Sequence, residues 1–193
     1  MFADPVLSAL VQNSAFFLLA SLYVWIGARR CRGTTPFPGP RPPGPAFKVW
    51  LVVIWLVGLV LPIVTIAVSG IGQGLTHVTL GLSAYLVMFV AQVVSEIFVW
   101  KRWRSPIWVI VPCLYLPWRL WQCAWGWDLP GVETSLLAST TWIALFVLWV
   151  INIGVHFTNV PLTLRWDHHP ADAHFKSLHH PVAIMPNAHD PID

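Results

Sequence analysis

A bundle of membrane-spanning helices is the fold class this sequence predicts: an all-α, polytopic integral membrane protein with five spans. Three observations lead there. Of 193 residues, 56% are hydrophobic and only 10% charged, whereas an average soluble protein carries about 25% charged residues. So few charges cannot cover a water-soluble surface. The chain also holds five apolar stretches near the roughly 20 residues a helix needs to cross the hydrocarbon core. None alternates polar and apolar with period two, which excludes a transmembrane barrel. Finally, the basic residues collect in segments that a five-span path puts on one side of the membrane.

The first span is predicted over about residues 6–27, "VLSALVQNSAFFLLASLYVWIG". It has no basic flank before it, only Asp4, and no small-residue cleavage site after it, so it reads as a retained helix rather than a cleaved leader. Residues 34–45, "TTPFPGPRPPGP", follow. With six prolines in twelve residues, this loop is expected to be an extended, semi-rigid connector. The second span covers about 49–69 and leads into the short glycine-rich turn "SGIGQG". The third covers about 76–100, the fourth about 106–125 and the fifth about 132–157. Residues 1–160 thus form the membrane domain. Residues 161–193 form a tail on the inner side, with five His between Trp166 and Pro181 and His189 beyond. Its polar, proline-interrupted composition predicts disorder. The irregular histidine spacing gives no metal site, and Cys31, Cys113 and Cys123 show no metal or disulfide pattern.

Charge placement tests the span count. Arg29, Arg30, Arg32, Arg41 and Lys48 lie between spans one and two; Lys101, Arg102 and Arg104 lie between spans three and four; Arg165 and Lys176 follow span five. With five spans, ten of the eleven basic residues share one side. The positive-inside rule then puts the N-terminus outside and the C-terminus on the cytoplasmic, stromal or matrix side. Thirteen Trp, seven of them between Trp100 and Trp127, suit the membrane–water interfaces.

The eleventh basic residue is Arg119, inside the fourth span. At a rise of about 1.5 Å per residue it lies roughly 20 Å above the inner end, in the outer third. Gln12, Asn13 and Thr65 fall at similar depth and are candidate partners. Pro112 and Pro117 free the carbonyls of Trp108 and Cys113, and freed carbonyls suit a guanidinium. Two readings stay open for Arg119: a structural tie, or contact with an anionic lipid, pigment or substrate. Nearer the inner face, Gln92, Ser95 and Glu96 share one side of span three. Asn152 and His156 are four apart on span five. Glu96 is free to pair with the inner-surface cations, or with His156 for acid–base chemistry. His77 and His156, at opposite ends of the membrane, are candidate ligands for chlorophyll or haem.

Residues 76–122 carry a polar, Glu-containing helix followed by Pro106, Ile107, Val111, Pro112, Tyr115 and Arg119. This stretch resembles a largely uncharacterised family of small polytopic membrane proteins of chloroplasts and cyanobacteria, whose pattern runs "LPIR-x-x-VP-x-x-Y-x-x-RR". The departures are Ser105 for the leucine before the proline, Trp108 for the first arginine, and Trp118 beside the one retained arginine. The resemblance implies a photosynthetic membrane and no known catalytic activity. A second comparison, with five-span sterol-isomerase-like proteins, rests on Glu96 alone.

The leading expectation is a non-catalytic membrane subunit or assembly factor that packs against a larger complex, contacts lipid or pigment, and has the bilayer and other membrane subunits, not nucleic acid, as partners. The alternatives are a small isomerase of a lipophilic substrate using Glu96 and His156, and a transporter built around a proline-broken fourth span.

Overall fold

The structure, a computed structural model, describes residues 5–31, 35–36, 44–103, 105–158, 160 and 166–167. The rest of the proline-rich loop and nearly all of the His-rich tail lie outside the described residues, as do Arg32, Arg41, Arg104, Arg165 and Lys176.

Among the described residues, five long helices follow in order: α1 (Pro5–Arg30), α2 (Pro45–Ile71), α3 (Thr76–Trp103), α4 (Ile110–Trp127) and α5 (Leu136–Phe157). Helices are the expected solution for apolar segments in lipid, where each backbone polar group must be satisfied within the segment. Their ends follow local chemistry. Proline sits in the first turn of α2, where its missing amide costs nothing. Ser135 caps α5 by accepting from the Ala138 amide at 3.3 Å, which satisfies one orphan donor. Gly74 and Gly131 take positive φ, 73° and 87°, in the α2–α3 and α4–α5 connections.

Four of these helices, α1, α2, α3 and α5, are long and apolar enough to cross a membrane. The sequence predicts five spans. The fourth predicted span does form a helix, but with Arg119, Gln122, two prolines and four Trp it is not apolar enough to count among those four. Its start is also later than the predicted residue 106, because Pro106–Val109 is a separate 3-10 turn. The proline-broken helix of the transporter reading is not seen: α4 runs continuously through Pro117.

Two of the helices contain widened π turns, at Leu56–Val60 and Ile66–Ile71 in α2 and at Val99–Trp103 at the end of α3. Such turns often mark sites of special contact. The first holds Gly58, buried against Phe89 and Trp149; a Cβ there would meet each ring at 3.3 Å. Glycine lets α2 approach that closely.

The centre of the bundle is α3. One side of it joins a core of Val78, Leu82, Tyr85 and Phe89 with Leu116, Trp142, Leu145 and Trp149. The other packs Met88 and Val99 against Ala20, Val24 and Ala28 of α1 and Val111 and Tyr115 of α4. Outward, α1 and α2 present rows of large apolar side chains, among them Leu18, Leu19, Val49, Val52 and Ile71. A soluble monomer does not expose contiguous apolar surface on this scale, and here lipid covers it. A two-residue antiparallel ladder pairs Thr35 with Asp167 and Pro36 with Trp166. It brings the α1–α2 loop and the segment after α5 to the same end of the bundle.

Candidate functional site

Arg119 is the organising residue of the interior. It is 1% exposed, and a charged side chain inside a membrane bundle marks a functional or tightly partnered site. Its Nε donates to Gln92 Oε1 at 2.8 Å, and Nη2 donates to the Met88 carbonyl at 3.3 Å. Gln92 Nε2 in turn donates to Glu96 Oε1 at 2.7 Å. The guanidinium carbon lies 4.6 Å from the Trp149 ring, 4.8 Å from Phe89 and 5.4 Å from Tyr85. Ring faces stabilise a cation that water does not reach.

The aromatic wall is itself tied down. Trp149 Nε1 donates to Tyr85 Oη at 3.1 Å, and Tyr85 donates to the Gly58 carbonyl in the π turn of α2 at 3.0 Å. Contacts with four helices therefore converge around one arginine. Within α3, Tyr85, Met88, Phe89, Gln92 and Glu96 recur at helical spacing, so a single face of that helix supplies most of them.

Arg119 does not use the partners that depth matching names. Asn13 lies at the right level but serves the neighbours of Arg119: its Oδ1 accepts from Trp118 Nε1 at 2.8 Å and from Gln122 Nε2 at 3.0 Å. Thr65 pairs with Thr141 at 2.7 Å. Gln12 is exposed and donates to Ser8 within α1. The reason is the lean of helical side chains toward the helix N-terminus, which carries the long arginine side chain back to Met88 and Gln92. The arginine and the cluster expected near the inner face thus form one network.

The remaining predicted residues go elsewhere. Ser95 bonds back to the Ala91 carbonyl of its own helix. Asn152 accepts from Trp50 Nε1 at 3.0 Å, joining α5 to α2. Glu96 and His156 share no hydrogen bond or ion pair; the Glu96 carboxyl is engaged by Gln92 instead. His77, in the first turn of α3, has a buried Nδ1 with no partner. His156 lies half-buried in the last turn of α5.

Sequence reasoning did not identify Tyr85, Trp149, Gly58 or Trp50. Aromatic residues are abundant here, and their polar tips find use only once the helices are placed. It also missed a second tie between α2 and α5, where Ser69 and Ser135 share a hydrogen bond of 2.8 Å. The four-residue spacing of Thr65 and Ser69 was its legible half.

Buried side-chain atoms without a hydrogen-bond partner include Arg119 Nη1, Gln122 Oε1, Trp142 Nε1 and the Tyr115 hydroxyl. Tyr115 stands one turn before Arg119 on the same face of α4. Comparison with known proteins finds no family model, no curated protein and no solved structure that matches this chain.

Proposed function

We propose that this protein is a non-catalytic integral membrane subunit or assembly factor that packs against a larger membrane complex. The observation that carries the reading is how the interior polar groups are used. Arg119, Gln92, Glu96, Asn13, Gln122, Asn152, Thr65, Thr141, Ser69 and Ser135 are spent on side-chain bonds, nearly all of them between helices. That is the economy of a scaffold. A catalytic site in lipid instead holds an acid and a base facing a common reacting atom, and Glu96 and His156 have no such relation.

The outer helices supply the docking faces. Only 22% of the α1 span and 17% of the α2 span is covered within the bundle, against 39% for α3 and α5. These faces suit other membrane subunits as well as lipid. The resemblance over residues 76–122 extends the proposal to a photosynthetic membrane, with pigment among the contacts.

The reading includes five crossings, with α4 as the fourth. Two observations support it. The ladder between residues 35–36 and 166–167 joins segments separated by α2, α3, α4 and α5, which share a side only if an even number of these helices cross; with α2, α3 and α5 as spans, α4 makes the fourth crossing. The described cations Arg29, Arg30, Lys48, Lys101 and Arg102 also fall at one end of the bundle under that path, the inner end by the positive-inside rule. The N-terminus is then outside and the C-terminus inside.

The test is extraction in mild detergent followed by native sizing. Co-migration with a complex much larger than the 21.7 kDa chain is expected. A monodisperse free monomer without pigment absorbance contradicts the proposal.

A further inference from the structure

We infer that the rim of the bundle where α1 and α3 both finish binds the headgroup of one anionic phospholipid, whose chains lie along the two helices. The inference needs only that α1 and α3 cross a membrane; it does not depend on membership of a larger complex. Arg29 and Arg30 close α1, and Lys101 and Arg102 lie in the last turn of α3. Packing brings the two pairs to one rim. Ala28 and Cys31 bracket the first pair, Val99 and Trp103 bracket the second, and all four bracketing residues belong to one packed cluster. The join is close. A Cβ on Gly27 would meet the Ile107 side chain at 3.3 Å, and two residues before Ile107 the Ser105 amide donates to the Val99 carbonyl at 3.5 Å.

The four cations are exposed, and among the described residues no carboxylate pairs with them. Asp128 and Glu133 lie in the α4–α5 connection, at the far end of the bundle: a Cβ on Gly131, between them, would meet Leu75 at 3.2 Å, just before α3 begins. Glu96 is bonded to Gln92, and Asp167 stands in the ladder. The rim therefore keeps an uncompensated positive charge, and phosphate oxygens fit the fork of an arginine. Beside the cations the surface turns apolar. Leu22, Trp25 and Ile26 on α1 and Val94, Ile97 and Phe98 on α3 are all exposed. The Arg29 guanidinium lies over the Trp25 ring, 4.3 Å from its centroid, which suits a tryptophan at the headgroup level. Cations bordering an exposed apolar strip match a headgroup with its chains, whereas a free anion would use only the first half. Basic pockets between membrane helices recognise anionic headgroups in this way.

The test uses the full-length protein in mild detergent, titrated with dioleoyl phosphatidylglycerol or dioleoyl phosphatidylcholine and followed by native mass spectrometry. One phosphatidylglycerol per chain is expected to be retained in preference to phosphatidylcholine. Arg29→Gln and Arg102→Gln are each expected to weaken its binding about fivefold, the contribution of one cation near an anionic headgroup. Lys48→Gln is the control. It removes the same charge from the same end of the bundle, but on α2, which Trp50 ties to Asn152 of α5, and it is expected to leave binding unchanged. Equal retention of the two lipids overturns the inference, as does a loss in Lys48→Gln as large as in the other two, which would mean diffuse attraction without a site. If inorganic phosphate binds as tightly as phosphatidylglycerol, the chains play no part and the lipid assignment fails.

Discussion

Arg119 and Gln92 meet side chain to side chain across the α3–α4 interface, Nε to Oε1 at 2.8 Å, deep inside the bundle. Because Gln92 also donates to Glu96, one amide orients both ionisable groups. Removing the amide strands the guanidinium. Gln92→Leu is expected to cost about 2 kcal/mol, the range for a hydrogen bond to a charged group. Adding Arg119→Leu to that variant is expected to restore part of the loss, because replacing both partners with apolar groups leaves no orphaned charge. Reversible unfolding in mixed detergent micelles, read by tryptophan emission, measures both.

The hydroxyl pairs Thr65–Thr141 and Ser69–Ser135 tie α2 to α5. Hydrogen bonds between membrane helices average about 0.6 kcal/mol and reach about 1.7. Thr141→Val is therefore expected to lower stability by about 1 kcal/mol. The double variant Thr65→Val/Thr141→Val is expected to cost less than the sum of the two single changes. A double-mutant cycle in the same unfolding assay checks this, and strict additivity would show the contact to be idle.

Gly126 lies against Trp142. A Cβ there would meet the ring at 2.5 Å, whereas one at Gly154 meets nothing within 4 Å. Gly126→Ala is expected to cost about 1–3 kcal/mol through overpacking. Gly154→Ala, on an exposed helical face, is expected to be neutral or slightly stabilising. Comparing the thermal stability of the two variants separates packing from helix propensity.

The helices were legible because lipid imposes one rule, about twenty apolar residues in a helix, and most of the chain obeys it. The rule is weakest at α4, where the sequence departs from it to hold Arg119, Gln122 and a run of Trp. There the hydropathy signal falls short, and the charge pattern carries more of the argument for a span. Arg119 was legible as an anomaly, but its partners were not. Depth matching placed Asn13 correctly beside α4, yet ignored how far an arginine reaches toward its own helix N-terminus. Tyr85 and Trp149 were invisible because period and composition give an aromatic no orientation. Gly58 mattered only once the π turn of α2 set its carbonyl toward Tyr85.

Everything proposed for the interior depends on α4 crossing the membrane, so that Arg119 is held in the bundle between apolar spans. Single cysteines introduced at Gly72, Asp128, Lys48 and Arg102, in a background lacking the native ones, report this through labelling with a membrane-impermeant thiol reagent. Five crossings predict that Gly72→Cys and Asp128→Cys label from the outside, and that Lys48→Cys and Arg102→Cys label only after the membrane is opened. Labelling of Asp128→Cys from the same side as Arg102→Cys would mean that α4 does not cross, and would contradict the five-span bundle and the sidedness derived from it.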